Sequence, residues 1–353
     1  MESPKTVAGY IAYLGTLLGV PSFGFLTPAT GETAPPPPLE GTAAAETVLG
    51  PPPGKMIPTS LGRTHYVLEG SGPLVVMQHG IALNLEVMNV ISEALVASGF
   101  RALRYDLYDR GWSETDAARF PITSFAKHPI EFTTTMHVTQ MRDVLEALGL
   151  AETPLVHIGH STGGGVGLAY ASTYPSHVRG LVLAAAVVLA LNLPLMARFV
   201  DVPIIGPFLV RATLRTKKFG RSAYVDPDMP AIASRLEKVF ALVEANCRYF
   251  AAIRSTNQHF VGFVGSAEGT YTKLCSEQHI PIHLVWGQSD SIVPYSQCQR
   301  LHAIAKEHQV DVTETAFEGI PHNIWSPDAK PQESVASIID FVTKVRAGGS
   351  WAE

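Results

Sequence analysis

The chain has 353 residues and a mass of 38.0 kDa, enough to bury a full core as one large domain with an insertion, or as two ordinary domains. Hydrophobic residues make up 46% and charged residues 16%, which excludes a disordered chain. A formal charge of -5 and a pI near 6.2 leave no basic footprint, so nucleic acid is not an expected partner.

Residues 1–54 differ in composition from the rest. No charge occurs from Thr6 to Gly31, and residues 7–26 are mostly apolar, close to the roughly 20 residues that span a bilayer as a helix. Four glycines and Pro21 weaken that stretch as a straight span and suit a kinked or shallow membrane contact. An arm packed on its own domain or on a partner chain is the alternative; a cleaved signal peptide is disfavoured, because the only basic residue ahead is Lys5. Membrane association through this segment is one expectation for localisation, and the cytoplasm the other. Pro35 to Pro38 and Pro51 to Pro53 bracket a low-complexity stretch that reads as an extended spacer, so the folded domain is expected from about Lys55.

Strand and helix signals alternate from there. Strands are expected at Thr64 to Leu68, Leu74 to Gln78 and Ala102 to Asp106, with a helix at Leu85 to Ser98 between the last two. A helix at Thr135 to Leu148, a strand at Leu155 to Gly159, a helix at Gly164 to Tyr174 and a strand at Gly180 to Val187 follow. The pattern resumes with Ile282 to Trp286 (strand), Tyr295 to His308 (helix), Asp311 to Ala316 (strand) and Pro331 to Ala347 (helix). Such alternation implies an α/β fold, a mostly parallel central sheet with helices on both faces. Residues 188–279 break it: proline-rich, apolar, then helical, they read as an inserted, mainly helical cap. It divides the core into residues 55–187 and 280–353.

The three cysteines, Cys247, Cys275 and Cys298, form no CxxC pair, and no HExxH occurs, so free thiols and no metal are expected. No flavin or nucleotide motif is present either, and no cofactor is expected. The sharpest signal is Gly159-His160-Ser161-Thr162-Gly163, a G-x-S-x-G between a buried strand and a helix. Such an elbow holds a serine hydroxyl on a strained turn at the carboxyl edge of the sheet, with the helix N-terminus aimed at a developing oxyanion. A serine nucleophile needs a base, and the base an orienting group. Asp290 and His322 each follow their own strand at that edge, in the chain order Ser, Asp, His. His79-Gly80 ends an early strand where a second oxyanion donor belongs, so the backbone amides of Ile81 and Thr162 are the expected donors.

These residues, with Asp106-Leu107-Tyr108, Gly111-Trp112-Ser113 and Trp286-Gly287 through Asp290 to Val293-Pro294, make the chain resemble the α/β-hydrolase superfamily from about Lys55 to Ala347. Its capped branch holds esterases, monoacylglycerol lipases, haloperoxidase-like enzymes and carbon–carbon bond hydrolases. The resemblance implies Ser161 as nucleophile, Asp290 as triad acid and His322 as base. Epoxide hydrolases and haloalkane dehalogenases of the superfamily need a carboxylate where Ser161 stands.

Where the family stretch usually reads D-L-x-G-x-G-x-S, Asp109 replaces the first glycine; it reads as a solvated loop residue, alone or paired with Arg110, against a binding group at the pocket edge. His79, Gly80, Tyr108 and His160 are the candidate substrate-side residues. Tyr108 reads equally as structural, and His160 also as a hydrogen-bonding residue beside the elbow. The expected reaction is hydrolysis of a small-molecule carboxylic ester through an acyl-enzyme. Its substrate is lipophilic if the apolar run Leu189 to Val210 roofs the pocket. A carbon–carbon bond hydrolase, an amidase or peptidase with the same triad, and a non-catalytic small-molecule binder are the alternatives. Nothing in the sequence sets an oligomeric state.

Overall fold

A computed structural model describes residues 41–122, 128–191, 217–245, 247–326, 329, 331–348 and 351. Its centre is a nine-stranded sheet. The strands are β1 (Lys55–Thr59), β2 (Gly62–Glu69), β3 (Leu74–Gln78), β4 (Arg101–Tyr105), β5 (Glu114–Thr115), β6 (Leu155–His160), β7 (Val178–Ala184), β8 (Ile282–Gly287) and β9 (Val312–Phe317). They lie in the order β1-β2-β4-β3-β6-β7-β8-β9, with β5 on β2. From β4 to β9 the pairing is parallel, and only the β1, β2 and β5 end is antiparallel.

Burial on both faces explains why β3 reads as a near-continuous apolar run, and β6 and β8 as mainly apolar ones in which the buried His157 and His283 are the exceptions. Leu74 and Val76 point into one core with Leu155, Leu181 and Leu284; Val75 and Met77 point into the other with Val156, Val182 and Val285. The first core is closed by α3 (Thr134–Ala147), α4 (Thr162–Thr173) and α10 (Tyr295–Glu307), through Met141, Leu168 and Leu301. The second is closed by α2 (Asn89–Ala97) and α11 (Pro331–Ala347), through Ile91, Leu95, Ile338 and Phe341. Each strand therefore commits alternate side chains to opposite layers. The chain winds outward from β3 in both directions, to β4 on one side and to β6 on the other. The topological switch therefore lies at the carboxyl ends of β3 and β6, where such sheets place ligands.

Between β7 and β8 the described residues are helical: α5 (Lys217–Ala223), α6 (Pro230–Ala245), α7 (Cys247–His259), α8 (Val261–Val264) and α9 (Glu268–Gln278). Most of the apolar run from Leu189 to Val210 lies outside the described residues, as do residues 7–26. Among the described residues no helix is long and apolar enough to cross a membrane.

Two expectations change. The spacer reading fails at Gly41–Leu49, which forms a helix, α1, whose Ala45 is fully buried in a cluster with Trp112 and Leu242. The Trp112 indole N–H donates to the Gly50 carbonyl at 3.0 Å and fastens the end of that helix. Low hydrophobicity argued for a spacer, but three consecutive alanines favour a helix and need only a large neighbour to bury against. The structured chain therefore starts ahead of Lys55, and β1 itself went unread because Pro58 interrupts it; as an edge strand β1 tolerates the missing donor. The single helix expected over Leu85 to Ser98 is a short 3-10 turn, Leu85–Met88, running into α2.

Candidate active site

Ser161 sits between β6 and α4 at φ +56° and ψ −121°, a conformation costly for a non-glycine residue. Backbone bonds from both sides hold it there. Its N–H donates to Ala184 of β7 at 2.9 Å, and its carbonyl accepts from Val187 at 2.9 Å and Gly164 at 3.1 Å. The flanking glycines are sterically required: a Cβ on Gly159 would strike the Gly163 backbone, and one on Gly163 would strike the Gln78 carbonyl. Ser161 caps the positive end of α4, and Thr162, the first helical residue, has no acceptor within the helix for its N–H.

Asp290 lies on the loop after β8. One carboxylate oxygen accepts from the N–H groups of Ile292 and Val293, both at 2.8 Å, and the other from the His322 Nδ1–H at 2.7 Å. With Nδ1 committed, Nε2 is the ring nitrogen left to take a proton. The loop carrying His322 approaches β8 closely because Gly287 lacks a Cβ, which would otherwise overlap the Ile320 and Pro321 carbonyls. The insertion also holds this loop, since the Asn323 N–H donates to Ala223 of α5 at 2.9 Å. His160, the residue before Ser161, packs its ring 4.9 Å from that of His322 and hydrogen-bonds the His322 carbonyl through Nε2 at 3.1 Å. Burial pushes the His160 pKa down to about 3, so the ring is neutral and its Nε2–H is the donor.

Gly80, after β3, borders Ser161 directly. A Cβ there would lie 3.0 Å from the Ser161 Cβ and 3.5 Å from its Oγ, so a side chain would crowd the nucleophile. His79 is wholly engaged in scaffolding: Nδ1–H donates to the Gly80 carbonyl at 2.7 Å, and Nε2 accepts from Leu107 N–H at 3.1 Å. Burial, outweighing the nearby Asp106 charge, lowers its pKa to about 4. Among the described residues the Ile81 N–H meets no acceptor.

The remaining candidates take other places. Tyr108 turns its hydroxyl to the β1–β2 turn, where it accepts from Leu61 N–H at 3.3 Å, and its ring packs with Ile130, Phe132 and Ala252. Asp106 anchors its loop, taking Leu85 N–H at 2.7 Å, the His65 Nδ1–H at 2.8 Å and Trp112 N–H at 3.1 Å. Asp109 is not solvated. It is 1% exposed and accepts from Thr115 N–H at 2.9 Å, Thr115 Oγ1 at 2.8 Å and His128 Nε2 at 2.8 Å. Its φ of +56° explains why glycine is usual there, and the hydrogen-bonded ring of His128, 19 residues on, explains why a carboxylate survives burial.

The buried contacts of Arg110 are not legible in the sequence. Arg110 is fully buried, and it bonds not Asp109 but the carbonyls of Ile81, Tyr108 and Ala252 and the Thr256 hydroxyl. Nothing local in the sequence announces partners more than 140 residues away. Cys275 and Cys298 are free and buried. Among the described residues no cluster of His, Cys, Asp and Glu is arranged to hold a metal ion.

Residues 71–327 match the family described as serine aminopeptidase, S33. An uncharacterized protein of Mycobacterium tuberculosis is 24% identical over 295 residues, covering 80% of this chain and 77% of its own length. A bifunctional esterase/perhydrolase of Acinetobacter calcoaceticus is 23% identical over 264 residues, covering 73% and 88%. Among solved structures, an esterase from Exiguobacterium antarcticum superposes with a TM-score of 0.64 at 20% identity, over 82% of this chain and 99% of that one.

Proposed function

The chain belongs to the serine aminopeptidase, S33, family and is an enzyme of the α/β-hydrolase type, and on that footing we propose that it is a serine esterase acting through Ser161, His322 and Asp290. The observation that carries this reading is the 2.7 Å bond from His322 to a carboxylate already fixed by two backbone amides, on the same sheet edge as the strained Ser161 turn. In the proposed reaction Ser161 Oγ attacks the ester carbonyl while His322 Nε2 takes its proton. The N–H groups of Ile81 and Thr162 receive the oxyanion. His322 then protonates the departing alcohol, and a water activated by the same nitrogen releases the acid from the acyl-enzyme.

We read the helices between β7 and β8 as a cap over this edge. Leu242 of α6 and Tyr249, Phe250 and Ile253 of α7 cluster with Trp112, and Ile81 and Ala82 pack on that cluster. Such an apolar roof favours a lipophilic acyl chain. An aminopeptidase reaction, which the family description raises, would need a carboxylate for the substrate ammonium group. Asp106, Asp109 and Asp290 are each committed to protein donors, so none of these three is free to take that part.

Labelling with a fluorophosphonate, wild type against Ser161→Ala, tests the nucleophile: folded protein without Ser161-dependent labelling removes the enzyme reading. A p-nitrophenyl ester series then tests the acyl pocket, with octanoate expected above acetate. An aminoacyl p-nitroanilide cleaved faster than every ester would transfer the reading to the amide.

A further inference from the structure

Hydrolysis through an oxyanion depends on how firmly the Ile81 N–H is aimed. That donor belongs to the peptide joining Gly80 and Ile81, and the carbonyls on both sides of Ile81 are held by side chains. The Gly80 carbonyl accepts from His79 Nδ1–H at 2.7 Å, and the Ile81 carbonyl from Arg110 Nε–H at 3.1 Å. One residue further, the Ala82 carbonyl accepts from the Tyr249 hydroxyl at 2.8 Å. Three successive carbonyls are thus pinned, and the N–H between the first two cannot rotate without breaking a bond.

Two of these three restraints lead into α7. Tyr249 belongs to it, and Arg110 donates from Nη2 to the Ala252 carbonyl at 3.1 Å and the Thr256 hydroxyl at 2.6 Å, and from Nη1 to the Tyr108 carbonyl at 2.9 Å. The guanidinium also lies 5.0 Å over the Phe132 ring. Among the described residues no carboxylate pairs with it, since Asp109 is turned to Thr115 and His128. A buried cation whose hydrogen-bond acceptors are all neutral is expensive to hold even with the Asp109 charge nearby, and its fork is the geometry suited to joining several acceptors at once. Burial lowers its pKa only to about 10, so it is charged at neutral pH.

Resting on the esterase reading, we infer that Arg110 is a positioning residue that locks the oxyanion loop to the cap helix α7, so that the donor at Ile81 is preorganised only when α7 is docked. Its charge, one hydrogen bond from the Ile81 peptide, also favours negative charge developing at that donor. The Thr256 hydroxyl, which itself donates to Ala252 O at 2.9 Å, is the cap-side end of the lock.

The test is the rate of fluorophosphonate labelling and the kcat and KM for a p-nitrophenyl ester, with Tm as the fold control, in Arg110→Lys, Thr256→Val and the double variant. Arg110→Lys keeps the charge and loses the fork. It is expected to lower kcat and the labelling rate by about 10- to 100-fold, below the loss of an oxyanion donor itself, with KM changed by less than about threefold. Thr256→Val is expected to lower both rates by about 3- to 10-fold, and the double variant to lose little beyond Arg110→Lys alone, because the two act through one connection. Thr256→Val replaces only a hydroxyl with a methyl and carries the test if Arg110→Lys does not fold. Folded variants labelled at the wild-type rate, or losses that multiply independently, overturn the inference while leaving Ser161 as nucleophile. Equal labelling of wild type and Ser161→Ala overturns the esterase reading and the inference with it.

Discussion

The imidazole of His160 donates its Nε2–H to the carbonyl of His322 at 3.1 Å, so the residue before the proposed nucleophile ties down the backbone of the proposed base. This contact spans 162 residues and joins the β6 elbow to the loop after β9. Replacing His160 with Phe keeps a ring against Trp325, 4.9 Å away, and removes the bond. The expected outcome is a kcat lowered by roughly 5- to 10-fold, about one hydrogen bond, with KM little changed. Steady-state kinetics on a p-nitrophenyl ester decide it; an unaltered kcat would show that the loop holds its position unaided.

Asp109 supplies a stability test. Burial opposes its ionisation, yet the His128 hydrogen bond and charge, the Thr115 amide and the Arg248 charge together hold its carboxyl below the ordinary range. Asp109→Ala strands the His128 Nε2–H and the Thr115 N–H in a buried site, at a cost of about 3 kcal/mol. Urea unfolding followed by circular dichroism should show a lower midpoint with an unchanged slope. A midpoint within error of wild type would mean that water replaces the carboxylate there.

Acid should weaken the fold early. Burial lowers the pKa values of His79 and His283 to about 4, and those of His157 and His160 to about 3. Unfolded, each titrates near 6.5, so between pH 6.5 and pH 4 the unfolded state binds more protons than the folded one. Their contribution is complete above about pH 6.5 and declines as pH falls, by about 1.4 kcal/mol per pH unit for each ring fully neutral in the fold. Urea midpoints at pH 7, 6 and 5 should therefore fall progressively, before carboxylate titration begins. A flat profile over that interval would mean that these rings are accessible to protons in the folded state.

Helix α1 makes a prediction about where the fold begins. A chain starting at Leu39 retains it, whereas one starting at Lys55 exposes Trp112 and removes the acceptor of its indole N–H, Gly50. The second should melt several degrees lower, the shift expected for a loss of about 1 to 2 kcal/mol. Equal melting temperatures would return residues 41–54 to the role of a spacer.

Local chemistry in the sequence carried most strands and helices of the core and pointed to the candidate triad. The two-face burial of β3, β6 and β8 shows as mainly apolar runs, broken in β6 and β8 by the buried His157 and His283. The glycines around Ser161 mark a turn that no Cβ fits, and Ser161, Asp290 and His322 each follow a strand that their own neighbours specify. What the folded chain alone decides are the contacts whose partners lie far apart in sequence or on residues with no periodic signal. Asp109 is a buried partner of His128 because a loop returns over it. Gly41–Leu49 is a helix because Trp112 and Leu242 give Ala45 a surface. Arg110 holds Ile81 and Thr256 together because α7 is brought down on the loop after β3. Sequence pattern reports which face a residue is buried on, but the direction of a hydrogen bond is set by whichever groups the tertiary fold delivers to it. The G-x-S-x-G turn that carries Ser161 was therefore readable at once, while the bonds that aim its proposed oxyanion donor became visible only in three dimensions.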